Sequence, residues 1–448
     1  MSGSPAYNPD GSPAYSPDGS PAYSPDGSPA YNPDGSPAYN PDNIKPNAKI
    51  KNLINKNERQ LAFTLSGVLP SFANAIRRTI LSDIPVVGFI TTPFEENRAT
   101  IIKNTSRFNN EYLKQRLSCI PIYSNSTNLV DENGEKISNT RLVNEFAVEL
   151  HVKNKTDSVL WVTTHDFRLI DKITKEPVMS KEHNAKIIEW LFPPFIFTTK
   201  DTKHYIDVMS LRPFISDSLP GEEVYLTCEF SICSAKKNSC YNVAHMITYQ
   251  NTIDLNLLTQ KTNEMKEVAK TEKKTKTEID FMVRNFELLE GKRLFIPNSF
   301  EFTVETLGFY KNDVLVQYAC SILYNLLVEL ERAIVSRDES IVLIHPNLEI
   351  TIPNCWDIVL QNEDYTLGTM LNDILYRKYC VKDNESDELP MLNFCGFKKE
   401  HPHDTSAIIR IGFADRSHNT LERVNEIFIY AIRAISAEFI TIENQMIF

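Results

Sequence analysis

One strand-helix pattern occurs twice in this chain, and it narrows the folds open to it. The segment "ERQLAFTLSGV" alternates Leu61, Phe63 and Leu65, as a half-buried strand does. In "PSFANAIRRTILSDIP", Phe72, Ala73, Ile76 and Ile80 share one helical face, with Pro70 suited to open the helix and Pro85 to stop it. Much later, "NCWDIVLQN" and "DYTLGTMLNDILYRK" repeat the pattern, with Leu367, Leu371, Ile374 and Leu375 on one face. The copies superpose without a gap: Phe63 on Ile358, Leu65 on Leu360, Phe72 on Leu367, Ile76 on Leu371 and Ile80 on Leu375. Each is followed by another strand and a long apolar helix. These are "FEFTVETL" with "VLVQYACSILYNLLVELERAI", and "TSAIIRIGF" with "TLERVNEIFIYAIRAISAEF". The last helix carries Leu421, Val424, Phe428, Ala431, Ile435 and Phe439 along one stripe. Two such units cannot bury their apolar faces alone but can bury them against each other. Taken by themselves, the five matched positions fit chance agreement between two amphipathic helices equally well.

Between the copies, residues 100–250 read as short strands and turns, with "FAVELHVKN" and "EVYLTCEFSI" both alternating. Residues 259–280 are rich in Lys, Glu and Thr, which predicts a solvated helix or linker, since the acids offset much of the basic charge. The chain begins with five copies of GSPAY[NS]PD from Gly3 to Asp42. Each octad has one large side chain and two Pro residues, so nothing offsets the entropy of ordering it. This tail holds five Asp and no Lys or Arg, which leaves −6 of the net −11 on the remainder. An acidic body argues against a protein that binds nucleic acid alone and fits one whose partners are proteins. Hydrophobic content of 42% allows a normal core.

The eight Cys form no Cys-x-x-Cys pair, and no basic-then-apolar leader is evident, so all eight are expected as reduced thiols of an intracellular protein. Cys228, Cys233 and Cys240 come nearest to a metal spacing, but the strand pattern around Cys228 favours buried thiols over a zinc site. "IIEWLFPPFIF" is too short for a membrane span and is broken by Pro193 and Pro194, and no other run reaches that length, so no membrane partner is expected. No nucleophile–base pair and no Gly-rich phosphate loop stands out, so no catalytic residue is assigned.

The stretch "LPSFANAIRRTILSDIPVVGF", with Asn74-Ala75-Ile76-Arg77-Arg78 and Ile84-Pro85, closely resembles the signature of the α-like subunits of DNA-directed RNA polymerase. These are the bacterial α amino-terminal domain, the archaeal D polypeptide and the third-largest subunit of eukaryotic polymerase II. "NNEYLKQRLSCIPI" resembles the family's Arg-Leu-x-x-Ile-Pro segment, here Arg116 to Pro121. "VTTHDFRLI" and "AKKNSCYNVAHMITYQ" resemble landmarks of the domain inserted in the D polypeptide. "LEITIPNCWDIVLQNEDYTLGTMLNDIL" and "CGFKKEHPHDTSAIIRI" resemble the smaller partner, the archaeal L polypeptide, through Asp364, Thr366-Leu367-Gly368, Gly396, His401 and Pro402.

The resemblance implies an α+β fold. Two α-subunit-like units would pack as an intramolecular pseudo-heterodimer, with a mainly β domain inserted in the first. The expected division is a tail over 1–46, a D-like unit over 47–105 and 280–340, an insert over 106–279 ending in the charged segment, and an L-like unit over 341–448. The pairing core is expected on Phe72, Ile76, Ile80, Leu315, Ile322, Leu326, Leu367, Leu371, Ile374, Phe428 and Ile435. Asn74, Arg77, Arg78 and Arg116 are expected to meet a large subunit, since paired Arg off an apolar face offers forked donors to a partner. The implied role is non-catalytic assembly, with the largest, second-largest and small polymerase subunits as partners and no direct DNA binding by the isolated chain. The rival classes are a transcription factor that binds nucleic acid through the charged segment and tail, and a metal-dependent enzyme.

Many relatives carry a Cys-rich loop where "YSNSTNLVDENGEKISNTRL" has none, so no metal or other cofactor is expected. His401-x-His403 with Asp404 is expected as a structural turn, not a metal site. The chain stops at Phe448, just past the last helix, so no promoter-reading domain is expected. Fusion of two normally separate subunits suits a large DNA virus, which implies an intracellular location, in the nucleus or a cytoplasmic viral factory, or packaging in the virion. Ser16, Ser20 and Ser24 lie in Ser-Pro pairs resembling the Tyr-Ser-Pro heptads of the largest polymerase II subunit and are candidate phosphorylation sites. A neutral repeat expansion is the favoured reading of the tail.

Overall fold

The computed structural model describes residues 46–446, apart from 58–59, 126–128, 198–201, 217, 219, 348–351 and 383–389. The octad tail with Ser16, Ser20 and Ser24 lies outside the described residues.

The first sheet is built from four antiparallel strands, β1 (Lys49–Asn57), β2 (Gln60–Ser66), β13 (Ala244–Ile253) and β14 (Phe295–Thr306), in the order β1-β2-β14-β13. Leu61, Phe63 and Leu65 are buried on alternate positions of β2, and the Phe63 ring stacks on Phe302 of β14 at 5.0 Å. Gly67, at φ +85°, makes the turn into α1 (Pro70–Ser82), and a Cβ there would lie 2.0 Å from the Asn47 carbonyl oxygen. After β14 comes α7 (Asn312–Ser336).

The second sheet repeats this order. Its strands β15 (Val342–Asn347), β16 (Cys355–Gln361), β17 (Leu392–Lys398) and β18 (Ser406–Phe413) lie as β15-β16-β18-β17. Its helices, α8 (Tyr365–Leu375) after β16 and α9 (Leu421–Gln445) after β18, sit where α1 and α7 sit in the first. Asp357 on β16 takes two N–H bonds from Arg410 on β18, at 2.7 and 2.9 Å, and a third from Asn347 on β15. Burial alone would raise Asp357, but these bonds hold its carboxyl below the ordinary carboxylate value.

Helix α1 packs on α7 and α8, and α9 packs on α7 and α8, so the two units meet helix to helix. One continuous apolar core runs through both sheets and all four helices. All ten superposed apolar positions are buried in it. Of the expected core residues, Phe72, Ile76, Ile80, Leu315, Leu367, Leu371, Phe428 and Ile435 are buried, and Ile322 and Ile374 pack half-buried against its edge. Leu326 is a correction: the stripe of α7 passes through Leu323, Leu327 and Leu330, leaving Leu326 half-exposed. Helix α7 is, by length and composition alone, apolar enough to cross a membrane, contrary to the expectation that no run is. Its apolar side is covered by α1, α9 and the strands beneath, as a core helix requires.

The segment between α1 and β13 folds around a core of its own. It contains β3 (Val86–Gly88), β4 (Ala99–Asn104), α2 (Asn110–Ser118), α3 (Asn139–Glu145), β5 (Phe146–Lys153), β6 (Leu160–Thr163), β7 (Phe167–Asp171), α4 (Lys181–Leu191), β8 (Phe195–Phe197), β9 (Thr202–His204), β10 (Asp207–Leu211), β11 (Glu223–Glu229) and β12 (Ser231–Cys233). Its main sheet is β4-β11-β5-β7, with two-stranded pairs β6-β10, β3-β12 and β8-β9.

The boundaries differ from the sequence division. Strand β4, within the span given to the first unit, pairs with β11 of the insert, while β13, within the span given to the insert, pairs with β14 of the first sheet. The charged segment is a helical hairpin, α5 (Leu255–Thr271) and α6 (Lys276–Leu288), inserted between β13 and β14. Asp254 caps α5, and Thr275 with Glu278 forms a capping box on α6.

Gly368 is one of the residues that carries the resemblance, and packing explains it. A Cβ at Gly368 would lie 2.0 Å from a ring carbon of Phe397, which is itself set against Tyr365. Gly368→Ala gains about 1 kcal/mol of helix propensity but overpacks the site at a cost of about 1–3 kcal/mol. We expect urea denaturation to show a net loss for Gly368→Ala alone. In a Phe397→Leu background, where the ring is gone, the same substitution should become stabilising.

Candidate functional site

Among the described residues no catalytic constellation emerges, and the candidate site is the seam between the units and the face of α1 beside it. The seam is built on apolar faces. Phe72 of α1 meets Phe439 of α9 with ring centroids 5.5 Å apart. Helices α7 and α9 run antiparallel, because Gln317 reaches the Met446 carbonyl, Ser321 bonds Glu443 and Glu331 pairs with Arg433. The Arg433–Glu331 pair, at 2.7 Å, has both side chains no more than 20% exposed.

Polar bonds close the seam at its edges. Arg78 on α1 donates from Nε to the Thr366 hydroxyl at 2.8 Å and from Nη2 to Asp364 at 2.7 Å. Asp364 also caps α8 by accepting the Thr366 backbone N–H at 2.7 Å. Burial would raise Asp364, but the Thr366 and Arg78 donors hold it below its ordinary value. On the opposite edge, Glu438 of α9 accepts the N–H groups of Asn47 and Ala48, both at 2.9 Å. Gln445 accepts the Ile50 N–H at 2.7 Å and donates to the Ala48 carbonyl at 3.0 Å. Two side chains of the second unit thus bond the backbone at and just before the start of β1. Sequence reading missed this clamp because strand and helix lie nearly four hundred residues apart.

The residues expected to face a large subunit are placed differently from one another. Asn74 Oδ1 accepts two bonds from Arg77, at 3.1 and 2.8 Å, which fixes the Arg77 guanidinium on the half-exposed side of α1. Arg78 is not a second outward donor, because it is held in the seam. Arg116 is also engaged within the chain, donating to the Val208 and Asp207 carbonyls at 2.8 and 2.5 Å and so tying α2 to β10. Asn74 and Arg77 are therefore the members of the set that the structure leaves together on one surface.

The residues behind the rival readings make contacts within the chain. Lys270 pairs with Glu267 and Lys274 with Glu272, so the basic residues of the hairpin are interleaved with acids. Cys228 and Cys233 are buried, and burial pushes the Cys233 thiol up to about 12. His401, His403 and Asp404 make a turn between β17 and β18, in which Asp404 accepts the His401 N–H at 2.8 Å. Among the described residues, no group of three or more His, Cys, Asp or Glu side chains is placed to hold a metal ion.

Comparison with known proteins bears on this seam. Residues 62–327, from β2 into α7, match the family described as the RNA polymerase Rpb3/Rpb11 dimerisation domain. The subunit rpac1 of DNA-directed RNA polymerases I and III of Dictyostelium discoideum is 28% identical over 171 residues, covering 38% of this chain and 44% of that protein. DNA-directed RNA polymerase subunit Rpo3 of Pyrococcus horikoshii is 36% identical over 74 residues, covering 16% of this chain and 26% of its own length. A protein of Acanthamoeba polyphaga mimivirus, assigned as DNA-directed RNA polymerase subunit R470, is 22% identical over 347 residues, covering 74% and 78%. The chain thus spans less than half the length of these two cellular relatives.

Glu363 gives the seam a pH signature. Burial, with Asp364, Asp83 and Glu329 nearby, pushes its carboxyl up to about 7 despite Lys236. Folding therefore favours its protonated form. That contribution is complete below the ordinary value of 4.5 and is lost as pH rises through about 7. Glu363→Gln should flatten the decline in stability across this window and melt higher than the wild type at pH 8. Thermal melts from pH 4.5 to 8 check this, and parallel curves for the two proteins would refute it.

Proposed function

The chain belongs to the RNA polymerase Rpb3/Rpb11 dimerisation family, and from that premise we propose that it is a non-catalytic assembly subunit of a DNA-directed RNA polymerase. Its first unit acts as the D-like half and its second as the L-like half, joined in one chain. The observation that carries this reading is the repeated strand order β1-β2-β14-β13 and β15-β16-β18-β17, with the helices of both units buried in a single core. Such a pair is the covalent equivalent of a heterodimer. Burial of apolar surface, at about 25 cal/mol per Å², supplies the driving force. Joining the halves sets their effective concentration in roughly the millimolar range, so pairing does not weaken on dilution.

The paired body then serves as a platform for the two large catalytic subunits. Asn74 and Arg77 are its proposed contact with one of them. The Asn74 amide oxygen holds the Arg77 fork in place, so less rotamer entropy is lost when a partner carboxylate or carbonyl docks. Arg78 and Arg116 contribute indirectly, by holding α1 and α2 in position. The fused arrangement supports a compact polymerase such as that of a large DNA virus, and the mimivirus relative is consistent with this.

Affinity purification of the tagged chain from its native source should bring down the two large polymerase subunits, identified by mass spectrometry. Their absence would overturn the reading. Arg77→Glu should leave melting within about 0.5 kcal/mol of the wild type, as for a surface change. The same change should reduce recovery of one large subunit at least tenfold, and undiminished recovery would remove Arg77 from the docking face.

A further inference from the structure

We propose that Arg78, together with the Asp364–Thr366 cap of α8, is a pairing code that makes a first-type unit accept a second-type unit and reject a copy of itself. The inference rests on the pairing reading above. Two units of the same topology on one chain pose a recognition problem. Copies of the chain could pair first unit with first and second with second, and apolar burial alone cannot forbid it. The facing stripes are nearly interchangeable, Phe72, Ile76 and Ile80 standing where Leu367, Leu371 and Leu375 stand. Burial is non-directional, so it stabilises each arrangement to a similar degree. Selection then needs a contact that one arrangement makes and the others lose.

The α1–α8 seam holds such a contact. Strands β2 and β16 are both seven residues long, and α1 and α8 start at the same distance after them. The correspondence therefore runs on through the helices, setting Arg78 against Asp373, Asp364 against Leu69 and Thr366 against Ser71. In the observed pair, Arg78 meets Asp364 at 2.7 Å and Thr366 at 2.8 Å. A first-with-first pair would instead set each Arg78 beside Leu69 and Ser71, with no carboxylate. A second-with-second pair would set Asp373 beside Asp364, two like charges. The other seam adds to this, since two α7 helices together would carry Glu331 without its partner Arg433. The Arg78 and Asp364 side chains are 37% and 38% exposed, so the contact adds little to total stability. Its weight lies in the difference between arrangements.

The full-length chain tests this through Arg78→Glu, Asp364→Asn and the double variant, with mass measured by light scattering over a range of micromolar concentrations. Asn retains the capping oxygen of α8. Wild type and Asp364→Asn should remain monomeric. Arg78→Glu, which sets two acids together in the native pair and not in a first-with-first pair, should raise the dimer fraction at least about fivefold. Adding Asp364→Asn should return it towards the wild type. An Arg78→Glu chain that stays monomeric, or a double variant that dimerises as fully as the single, overturns the code. If Arg78→Glu does not fold, co-expression of two differently tagged Arg78→Gln chains decides instead. Cross-capture above the wild-type level supports the code, and capture equal to it overturns the code. Loss of polymerase capture by a wild-type chain that is monomeric would count against the functional reading and leave the selectivity result standing.

Discussion

The pairing of the two units depends on the burial of four helices against one another between two sheets. Neither unit has a second layer of its own to cover α1 and α7, or α8 and α9. Each supplies that layer for the other, and Phe72 against Phe439 is one place where the exchange is visible. Because the force is apolar and without direction, it needs polar bonds at its edges to set register. Arg78 with Asp364 and Thr366, Glu331 with Arg433, and the Glu438–Gln445 clamp on β1 fill that role.

Arg78, Asp364, Glu331, Arg433 and Glu438 at the seam are engaged in caps, ion pairs and backbone contacts. Burial raises the thiols of Cys228, Cys233 and Cys320 well above the usual range. The double unit carries an inserted domain and a helical hairpin, and its α1 holds the Asn74–Arg77 pair on its half-exposed side.

Much of the fold could be read from the residues, because local periodicity and turn chemistry carry it. Strands β2 and β16 and helices α1, α7, α8 and α9 follow from alternation and from apolar stripes, and all ten matched positions are buried. What could not be read depends on distant partners. Whether β4 and β13 belong to the insert or the first sheet is decided by hydrogen bonding to β11 and β14. The role of Arg78 is decided by a carboxylate 286 positions away. Its neighbour Arg77 looks equivalent in sequence, but one helical step turns it from the seam to the outer face. The choice of Leu327 over Leu326 as a core residue is a similar matter of one step along α7.

The central claim, that the two units form one cooperative body, is most directly tested by native-state hydrogen exchange on a Leu371→Ala chain. Leu371 lies on α8, in the second unit, and is fully buried. If the core is shared, the cavity should speed exchange in α1 and α7 of the first unit by the same free energy as in α8 and α9. Faster exchange confined to the second unit, with α1 and α7 protected as in the wild type, would contradict the account.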